Sequence, residues 1–405
     1  MLSFHSGSAK NVNSERVVDE CMAQAFGGTP PKDCRAVIFI SSMGHNLARL
    51  GDAIKRQVPE ARVYGASAGG VTGRAGIGET MHDVAIMAIC GPADEVSAAS
   101  IKDIFGHNAY EKGVECATKL KEDSKKPVSA AYLLCPGIDI ANDLVFKGFS
   151  DVFGMEIPFS GGTASDNMRG ITNFQYCNGT LGEHDAWVVA FCDPTLHATS
   201  RPSHGLEPYG EPMVVTKVDP NVGVRILELD NRPAWEVYTQ RLGLPLSASM
   251  GEVLTVGALA ERLPEDLAAS YDSDYIFRAI TKVDEGGAIY YPVTCKEGLK
   301  LWLNRRDEER IFNDMHRCLD LIKADMGEGR PVVVFQTDCL ARGRRLFNQI
   351  MKDELIGMVH GALSVDGVVP PWLGMYAFGE YAMLGGKNTA HNYTASLLVL
   401  YRNAQ

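Results

Sequence analysis

The same order of segments occurs twice in the first half of the chain, about a hundred residues apart. In the first copy, an apolar strand at residues 36–40 leads through a helix and a second strand to the glycine-rich turn GASAGG at 65–70. In the second copy, the corresponding turn is SGGTASDN at 160–167. Each copy then passes a His-Asp pair, His82-Asp83 or His184-Asp185, and enters a buried strand. The repetition predicts an internal duplication of a β-α-β unit.

A third and fainter copy follows near the end of the chain. Residues 332–335 read as an apolar strand, and the turn after it leads into a predicted helix whose apolar side carries Leu346, Phe347, Ile350 and Met351. Between the second and third copies, residues 208–229 have the pattern of a hairpin and residues 305–324 that of an amphipathic helix. The predicted fold class is α/β with mixed sheets. An internally duplicated β-α-β N-terminal region occupies residues 1–220, and a smaller α/β C-terminal domain occupies residues 221–405.

Net charge and cysteine usage exclude several classes of function. The 405 residues carry a formal net charge of −11, which argues against nucleic acid and anionic membrane as partners. No apolar run reaches the roughly 20 residues that a membrane helix needs, and the N-terminus lacks a signal-peptide pattern, so we expect a cytoplasmic protein without membrane insertion. The ten cysteines include no C-x-x-C motif, so we expect reduced thiols and no structural zinc.

The stretch GMYAFGEYAMLGGKNTAHNYTASLLVL at residues 374–400 concentrates polar groups between strands that read as buried. Its acidic, imidazole, amide and hydroxyl side chains are Glu380, His391, Asn392, Tyr393 and Thr394. Polar groups beside buried strands are costly unless they are paired. The cluster therefore either closes a hairpin with satisfied hydrogen bonds or contacts a ligand, and the sequence leaves both interpretations open.

Two short motifs raise the alternative of an enzyme. Residues 65–69 match G-x-S-x-G, which in serine hydrolases exposes the nucleophile, here Ser67, on a strand-to-helix turn. The residues that follow do not read as a helix start, so we interpret the motif as a glycine-rich turn. Cys339 lies where a strand meets a helix, a setting that lowers a thiol pKa, and three arginines follow it: Arg342, Arg344 and Arg345. Because no set of nucleophile, base and orienting group is evident, we predict binding without catalysis.

Several motifs in series resemble the FIST proteins, which carry paired FIST N and FIST C domains. They are GASAGG, SGGTASD, SHGLEPYGEPMVVTK, LELDNRPAWEVY, TDCLARG, FGE and HNYT. They occur in the family's order and cover the chain from about residue 35 to residue 400. The order also resembles that of the standalone members described as haem-containing nitric oxide sensing proteins.

The resemblance implies a cytoplasmic sensory protein that binds a small ligand and acts in trans on a separate protein, such as the histidine kinase of a two-component system. It implies haem with nitric oxide as one ligand and an amino acid as the alternative. An axial haem ligand is a neutral imidazole on an apolar wall, for which His204 and His391 are the candidates. By position, Cys339 and Arg342 match the family's C-x-x-R motif, and Gly379-Glu380 matches its Gly-Glu pair.

We expect the ligand site where the small-residue turns of the first half of the chain face the polar residues around Glu380 and His391 in the second half, because pockets form at domain junctions. The turns contribute Ser67, Thr163 and Asp166. The C-terminal region contributes Cys339, Arg342, Glu380, His391, Asn392, Tyr393 and Thr394. A homo-oligomer is compatible with the sequence.

Overall fold

The computed structural model describes residues 1–271, 273–343 and 349–403, and within them the chain forms three similar units. The first unit consists of β1 (Ser3–Lys10), α1 (Ser14–Phe26), β2 (Cys34–Ser42), α2 (Leu47–Gln57), β3 (Arg62–Ala68), β4 (Val71–Gly73), β5 (Gly76–Gly78) and β6 (Asp83–Cys90). The second unit repeats this order with β7 (Val96–Ile101), α3 (Ala109–Asp123), β8 (Ala130–Cys135), α4 (Asn142–Phe153), β9 (Phe159–Thr163), β10 (Gln175–Cys177), β11 (Thr180–Gly182) and β12 (Ala186–Phe191).

The third unit has the same order but is interrupted by a long insertion after its first strand, β13 (His197–Ser203). The insertion comprises β14 (Leu206–Val218), β15 (Arg225–Leu229), β16 (Arg232–Pro233), α5 (Ala234–Arg241), α6 (Met250–Val256), β17 (Leu259–Arg262), α7 (Glu265–Tyr271), β18 (Tyr275–Arg278), β19 (Lys282–Val283), β20 (Ile289–Tyr290) and β21 (Lys300–Arg306). The unit then resumes with α8 (Glu308–Met326), β22 (Arg330–Cys339), α9 (Gln349–Leu363), β23 (Trp372–Ala377), β24 (Glu380–Leu384), β25 (Lys387–His391) and β26 (Ala395–Arg402).

Each unit builds one mixed sheet, and each sheet is completed by a hairpin from another unit. The sheet orders are β1-β6-β2-β3-β10-β11, β7-β12-β8-β9-β24-β25 and β13-β26-β22-β23-β4-β5. In each sheet the second and third strands of the unit are parallel, and the remaining neighbours are antiparallel. The hairpin of the second unit joins the first sheet, that of the third unit joins the second sheet, and that of the first unit joins the third. The three units therefore form a closed ring of exchanged hairpins.

An apolar core occupies the middle of this ring and takes side chains from all three sheets. Tyr132 from the second unit packs against Phe335 from the third with ring centroids 5.0 Å apart, and Tyr64 from the first lies 5.7 Å from Trp187. The helices cover the outer faces of the sheets and form separate apolar clusters with them. The sheets are thus buried on both faces, which explains the continuous apolar runs of β2, β8 and β22.

The prediction of an α/β fold with mixed sheets and a duplicated N-terminal region is confirmed. The apolar face predicted for the first helix is buried in α2, with Leu50 and Ile54 fully enclosed. The predicted hairpin at 208–229 is the antiparallel pair β14–β15, and the predicted long helix is α8, which Asp307 caps through the backbone N–H of Arg310. In the third copy, Leu346 and Phe347 lie outside the described residues. Among the residues that are described, no helix is both long and apolar enough to cross a bilayer.

Candidate functional site

The small-residue turns that follow the third strand of each unit meet at one end of the ring. The Ser67 hydroxyl donates to the Ser165 carbonyl at 2.9 Å and accepts from the Phe174 N–H at 2.8 Å. The Ser165 hydroxyl donates to the Tyr376 carbonyl at 2.7 Å and accepts from the Gly69 N–H at 3.0 Å. These bonds join the first, second and third units directly. The turns of the first half therefore contact the C-terminal region, and the ligand site expected there stays a prediction.

The predicted residues of the second turn shape this junction. The Thr163 backbone N–H donates to the Gly379 carbonyl at 2.9 Å, so this strand end is joined to the turn before β24. The Asp166 carboxylate accepts from the N–H groups of Arg169, Gly170 and Ile171 at 2.7–3.2 Å. Asp166 therefore organises its own loop, an arrangement typical of an aspartate at a turn.

Glu380 begins β24 and has no exposed surface. Its Oε2 accepts from the backbone N–H and the hydroxyl of Thr394 at 3.1 and 2.8 Å. Burial raises the pKa of Glu380 well above its usual value, although the bonds from Thr394 favour the ionised form. Oε1 makes no hydrogen bond of ordinary geometry with the residues that the structure describes, and the Cys339 thiol lies close to the carboxyl group.

Arg342 and Asp338 form a buried ion pair across the turn that ends β22. The Arg342 Nε lies 2.9 Å from Asp338 Oδ1, and both side chains are almost fully enclosed. Arg342 Nη1 also donates to the His204 carbonyl at 2.7 Å, which ties the turn to the end of β13. Burial raises the pKa of Asp338, against the opposing effect of the guanidinium. Nη2 of Arg342 has no hydrogen-bond partner within residues 1–271, 273–343 and 349–403.

The rings of the two candidate histidines both lie close to the ring of Tyr271 from the insertion. The ring centroids are 4.8 Å apart for His204 and Tyr271, and 5.6 Å apart for Tyr271 and His391. Burial lowers the pKa of His204 to about 4 and lowers that of His391 well below its usual value, so both imidazoles are neutral near pH 7. His391 is the cross-strand neighbour of Glu380. This pairing places an imidazole and a carboxyl group at the same strand ends.

Several polar atoms in this cluster lack partners among the described residues. They are Glu380 Oε1, Arg342 Nη2, the Tyr271 hydroxyl and both ring nitrogens of His391. Buried polar groups in folded proteins nearly always have a hydrogen-bond partner, and exceptions call for a water, an ion or a ligand. So many unpartnered groups in one place are the strongest indication in the structure of a binding site. We call Glu380, Arg342, Asp338, His391 and Tyr271 the polar cluster.

A narrow apolar cavity lies beside the polar cluster, between the turn of the second unit, the turns of the third unit and the insertion. It encloses about 390 Å³ that is free of atoms and partly open to solvent, of which about 20 Å³ admits the centre of a water molecule. Its walls include Met168, Leu254, Ile280, Cys339, Leu340 and Phe378. Cys339 links the two regions, because it lines the cavity and neighbours Glu380. The cavity is therefore a slot at the predicted junction.

Residues 35–232 match the model of the FIST N domain, and residues 234–383 match that of the FIST C domain. The chain belongs to the FIST family. FIST domains are associated with signal transduction and with the sensing of small ligands.

Two sequence relatives of this FIST protein are both named as uncharacterized proteins. A protein of Mycobacterium tuberculosis strain H37Rv is 28% identical over 208 residues, which cover 50% of this chain and 51% of the relative. A protein of Mycobacterium bovis is 26% identical over 227 residues, which cover 53% and 54% of the two chains. The chain thus spans about half the length of the curated relatives that it matches.

Two solved structures are similar to this FIST protein in outline. The cyanuric acid hydrolase of A. caulinodans aligns over 100% of both chains with a TM-score of 0.38 and 9% identity. T. maritima PurL complexed with ATP aligns over 99% of this chain and 72% of its own, with a TM-score of 0.22 and 8% identity. Both TM-scores are below 0.5, so these similarities bear on neither the site nor the function.

The remaining residues predicted for the FIST site hold the turn before β26 in place. The Asn392 side-chain amide donates to the Phe378 carbonyl at 2.7 Å. The Tyr393 hydroxyl donates to backbone carbonyls of the insertion, Leu254 and Gly257, and Tyr393 itself has a left-handed backbone with φ 57°. Asn392 and Tyr393 therefore fix the position of Thr394, which in turn binds Glu380.

Neither predicted nucleophile has the surroundings of a reactive group in this FIST protein. Ser67 lies within β3 and not at a strand-to-helix turn, and its hydroxyl is buried between Ser165 and Phe174. Burial raises the pKa of Cys339 well above its usual value, and the carboxyl groups of Glu380 and Asp338 act in the same direction. This is opposite to the lowered pKa expected from the sequence. Arg344 and Arg345, which were expected to lower it, lie outside the described residues.

The two candidate histidines lie outside the cavity lining. His204 Nδ1 accepts from the Leu206 N–H at 3.2 Å, Nε2 faces the Asp314 carboxylate at 3.3 Å, and His204 is not among the residues that line the cavity. His391 has both ring nitrogens unpartnered within the described residues, but it does not line the cavity, whose narrow space is far smaller than a porphyrin. The residues in this conformation do not fit haem.

Proposed function

We propose that this protein is a sensor that binds a small zwitterionic ligand, such as an amino acid, in the polar cluster and signals to a separate protein. The observation that carries the proposal is the set of unpartnered polar atoms on Glu380, Arg342 and His391. A bound ligand would supply the hydrogen bonds that these atoms lack. Membership of the FIST family, whose domains are associated with small-ligand sensing, supports the same function.

The charges of the polar cluster favour a ligand that carries both signs. Without a ligand, Arg342 is balanced by Asp338, and Glu380 retains its proton because burial raises its pKa. A ligand ammonium group would replace that proton and bind the ionised carboxylate through a charge-assisted hydrogen bond. A ligand carboxylate would accept from Arg342 Nη2. The complex then contains two positive groups, Arg342 and the ligand ammonium, and three carboxylates, so each buried cation has an anionic partner and one negative charge remains.

Transmission to a partner follows from the position of the site. The polar cluster contains Tyr271 from the insertion, Arg342 from β22's turn and Glu380 from the exchanged hairpin. A ligand that bonds to all three would change the relative free energy of two arrangements of the insertion and the ring. Signalling in trans, with a histidine kinase as the partner that the family resemblance implies, is part of the proposal. The test is kinase autophosphorylation with and without the stabilising ligand. A ligand effect that occurs only when this protein is present would support signalling in trans.

Ligand screening tests the binding directly. We expect at least one of the common L-amino acids or simple primary amines to raise the melting temperature of the wild-type protein, because a ligand that binds only the folded state stabilises it. In Glu380→Gln, which keeps the size of the side chain, the affinity measured by calorimetry should fall about 10- to 100-fold. Tyr132→Phe, a change in the apolar core away from the cluster, is the matched control and should bind normally.

Arg342 needs a paired variant. Arg342→Ala alone would leave Asp338 buried without its partner, a change that typically costs about 3–5 kcal/mol of stability. Arg342→Gln combined with Asp338→Asn removes both charges and keeps the volume. The double variant should fold and lose binding of carboxylate-bearing ligands while retaining that of simple amines. Equal affinity for both classes in wild type and double variant would contradict the role of Arg342.

Haem binding with nitric oxide sensing stays a prediction of the family resemblance. An intense Soret band in the purified protein, or after addition of hemin, with a shift on exposure to nitric oxide would support it. His391→Ala should then abolish the band, whereas His204→Ala should not. A colourless protein that takes up no stoichiometric hemin would exclude this function and leave the amino-acid proposal unaffected.

A further inference from the structure

The cavity beside the polar cluster is lined mainly by apolar side chains, and the charged contacts proposed for the ligand leave this lining without a role. Its walls are contributed by three parts of the fold: Met168 from the loop of the second unit, Leu254 and Ile280 from the insertion, and Leu340 and Phe378 from the third unit. All five are apolar, and among the described residues the polar side chains of the lining are those of Thr281 and Cys339, neither of them charged. A ligand pocket of this kind typically fixes a ligand by a few polar groups and takes up its apolar part elsewhere.

The cavity and the polar cluster meet at Cys339. The Cys339 side chain lines the cavity, and its backbone N–H donates to the Thr394 carbonyl at 2.8 Å. Thr394 in turn donates to Glu380 from both its N–H and its hydroxyl. Phe378, which also lines the cavity, lies one residue before the Gly379-Glu380 pair. Cys339 in the cavity wall is therefore connected through Thr394 to the carboxyl group of Glu380, which we expect to bind the ammonium head.

We propose that the ligand combines an ammonium head with a compact apolar side group, and that this group occupies the cavity. The inference rests on the proposed function, since it needs the head to bind at Glu380. It narrows the ligand class to amino acids or amines with a small branched aliphatic or flat aromatic group. Acidic, amide and basic side groups are disfavoured, because the polar side chains of the described lining, Thr281 and Cys339, carry no charge. The Thr281 hydroxyl already donates to the Tyr290 carbonyl at 3.4 Å, and burial of an unpaired polar group is costly.

The shape of the cavity sets the expected size of the group. Only about 20 Å³ of the cavity admits the centre of a water molecule. The slot therefore fits a single narrow side group as it stands, and its walls must move apart slightly for a wider one. Met168 is the wall residue best suited to move, because methionine is unbranched and flexible. It also lies in the loop that Asp166 holds by its carboxylate, and its own backbone has φ 73°. Specificity for side-group size is therefore assigned to Met168 and to Ala341, which both line the cavity.

Calorimetry with two homologous series tests this inference. The probes are propylamine, butylamine and 3-methylbutylamine, and L-alanine, L-norvaline and L-leucine. Each added methylene should tighten binding about fourfold until the slot is full, which is the gain expected from burial of one methylene group. L-Aspartate and L-glutamine, with similar volumes and polar ends, should bind at least tenfold more weakly than L-leucine.

Two variants change the slot in opposite directions. Ala341→Leu fills the slot and should lower the affinity for L-leucine at least tenfold, while the affinity for L-alanine should stay within about twofold of that of the wild type. Met168→Ala enlarges it and should shift the preference towards the longer members of each series, and it remains informative if Ala341→Leu does not fold. Probes that bind with a dependence on Glu380 but with no dependence on chain length would overturn this inference alone. The absence of binding by every probe, or equal binding in Glu380→Gln, would overturn the proposed function as well.

Discussion

Glu380 is the residue on which the site depends, because its carboxyl group has no exposed surface. Within the described part of the chain, its well-placed donors are the N–H and the hydroxyl of Thr394. Burial disfavours its charged form and raises its pKa well above 4.5. The folded protein therefore holds a proton that the unfolded chain has released. Such an arrangement destabilises the fold near neutral pH, and it is reasonable at a position that a ligand cation later occupies.

Glu380→Gln should make stability less dependent on pH. A raised folded-state pKa of an acid means that the folded state binds more protons than the unfolded state above about pH 4.5, so the free energy of unfolding decreases as the pH rises through the folded value. The variant lacks this loss. Urea denaturation at pH 5 and pH 8 should show that wild type loses more stability than Glu380→Gln between the two values. Parallel losses in the two proteins would contradict a buried neutral carboxyl.

His204 should govern stability on the acid side. Its folded-state pKa is lowered to about 4, so below the ordinary value of 6.5 the unfolded chain takes up a proton that the folded protein does not. Stability that is present above pH 6.5 is therefore lost as the pH falls towards 4, by about 3 kcal/mol for this residue. His204→Gln should show a smaller loss over this interval in urea denaturation. An unchanged slope would mean that His204 is protonated in the folded state.

The sequence predicted part of the polar cluster and missed part of it. Glu380, His391 and Thr394 lie within one stretch of sequence, and Arg342 follows a strand end, so each could be found from its local setting. Asp338 sits beside Cys339 in the same motif, and its charge next to a buried strand was a usable signal. Tyr271 gave none, because it comes from a helix of the insertion and reaches the cluster only through the tertiary fold.

At the scale of elements, the close approach of β9 and β24 holds the second and third units together. Gly162 pairs with Glu380 in the sheet register, and a Cβ at Gly162 would clash with the Gly379 carbonyl oxygen. Its neighbour Gly161 has φ 125°, which side chains rarely adopt. The glycines of SGGTASDN are therefore required by strand pairing between units, a reason that the turn motif alone does not reveal.

Gly162→Ala should destabilise the protein through this contact. The added methyl group would meet the backbone carbonyl oxygen of Gly379, which cannot rotate away as a side chain could. The strands β9 and β24 must therefore separate, at a cost of about 1–3 kcal/mol. Gly357→Ala is the control, because Gly357 lies exposed in α9 with nothing within 4 Å of an added Cβ, and it should stabilise by about 0.5–1 kcal/mol. Thermal denaturation of both variants checks this. A Gly162→Ala protein as stable as wild type would show that the exchanged hairpin does not pack as closely as described.

The pattern of elements was predictable where the contacts are local. Periodicity correctly indicated the buried strands 36–40 and 130–134 and the buried face of α2. The exchange of hairpins was not, because the pairing of Gln175 with Ala66, or of Gly374 with Thr72, joins residues about 100 to 300 positions apart. The third unit looked fainter than the others because the insertion separates β13 from the rest of its unit.

At the scale of the whole molecule, the ring of exchanged hairpins makes every unit depend on the other two. The first unit lends β4–β5 to the third sheet and receives β10–β11, and the second lends that hairpin while receiving β24–β25. A central apolar core shared by all three sheets adds to this dependence. The family-defined N and C regions are therefore not independent folding units, because strands of each complete the sheets of the other.

A fragment of residues 1–193, which contains the first two units, should not fold alone. It would expose the edge of β9 and leave the β4–β5 hairpin without β23, and unpaired sheet edges promote aggregation. Co-expression with residues 194–405 should restore a soluble complex that unfolds in one transition. Circular dichroism and gel filtration distinguish the outcomes. A monomeric fragment with a cooperative melting curve would contradict the interdependence of the units.

Binding at Glu380 is tested most directly by calorimetry of the protein with L-leucine at pH 6, 7 and 8, in wild type, Glu380→Gln and Tyr132→Phe. The ligand ammonium must displace the proton of Glu380, so the affinity of wild type and of Tyr132→Phe should increase with pH. Glu380→Gln should bind about 10- to 100-fold more weakly and with no dependence on pH over this range. Affinity that is independent of pH in wild type, or unchanged in Glu380→Gln, would contradict a ligand site built on this buried carboxyl group.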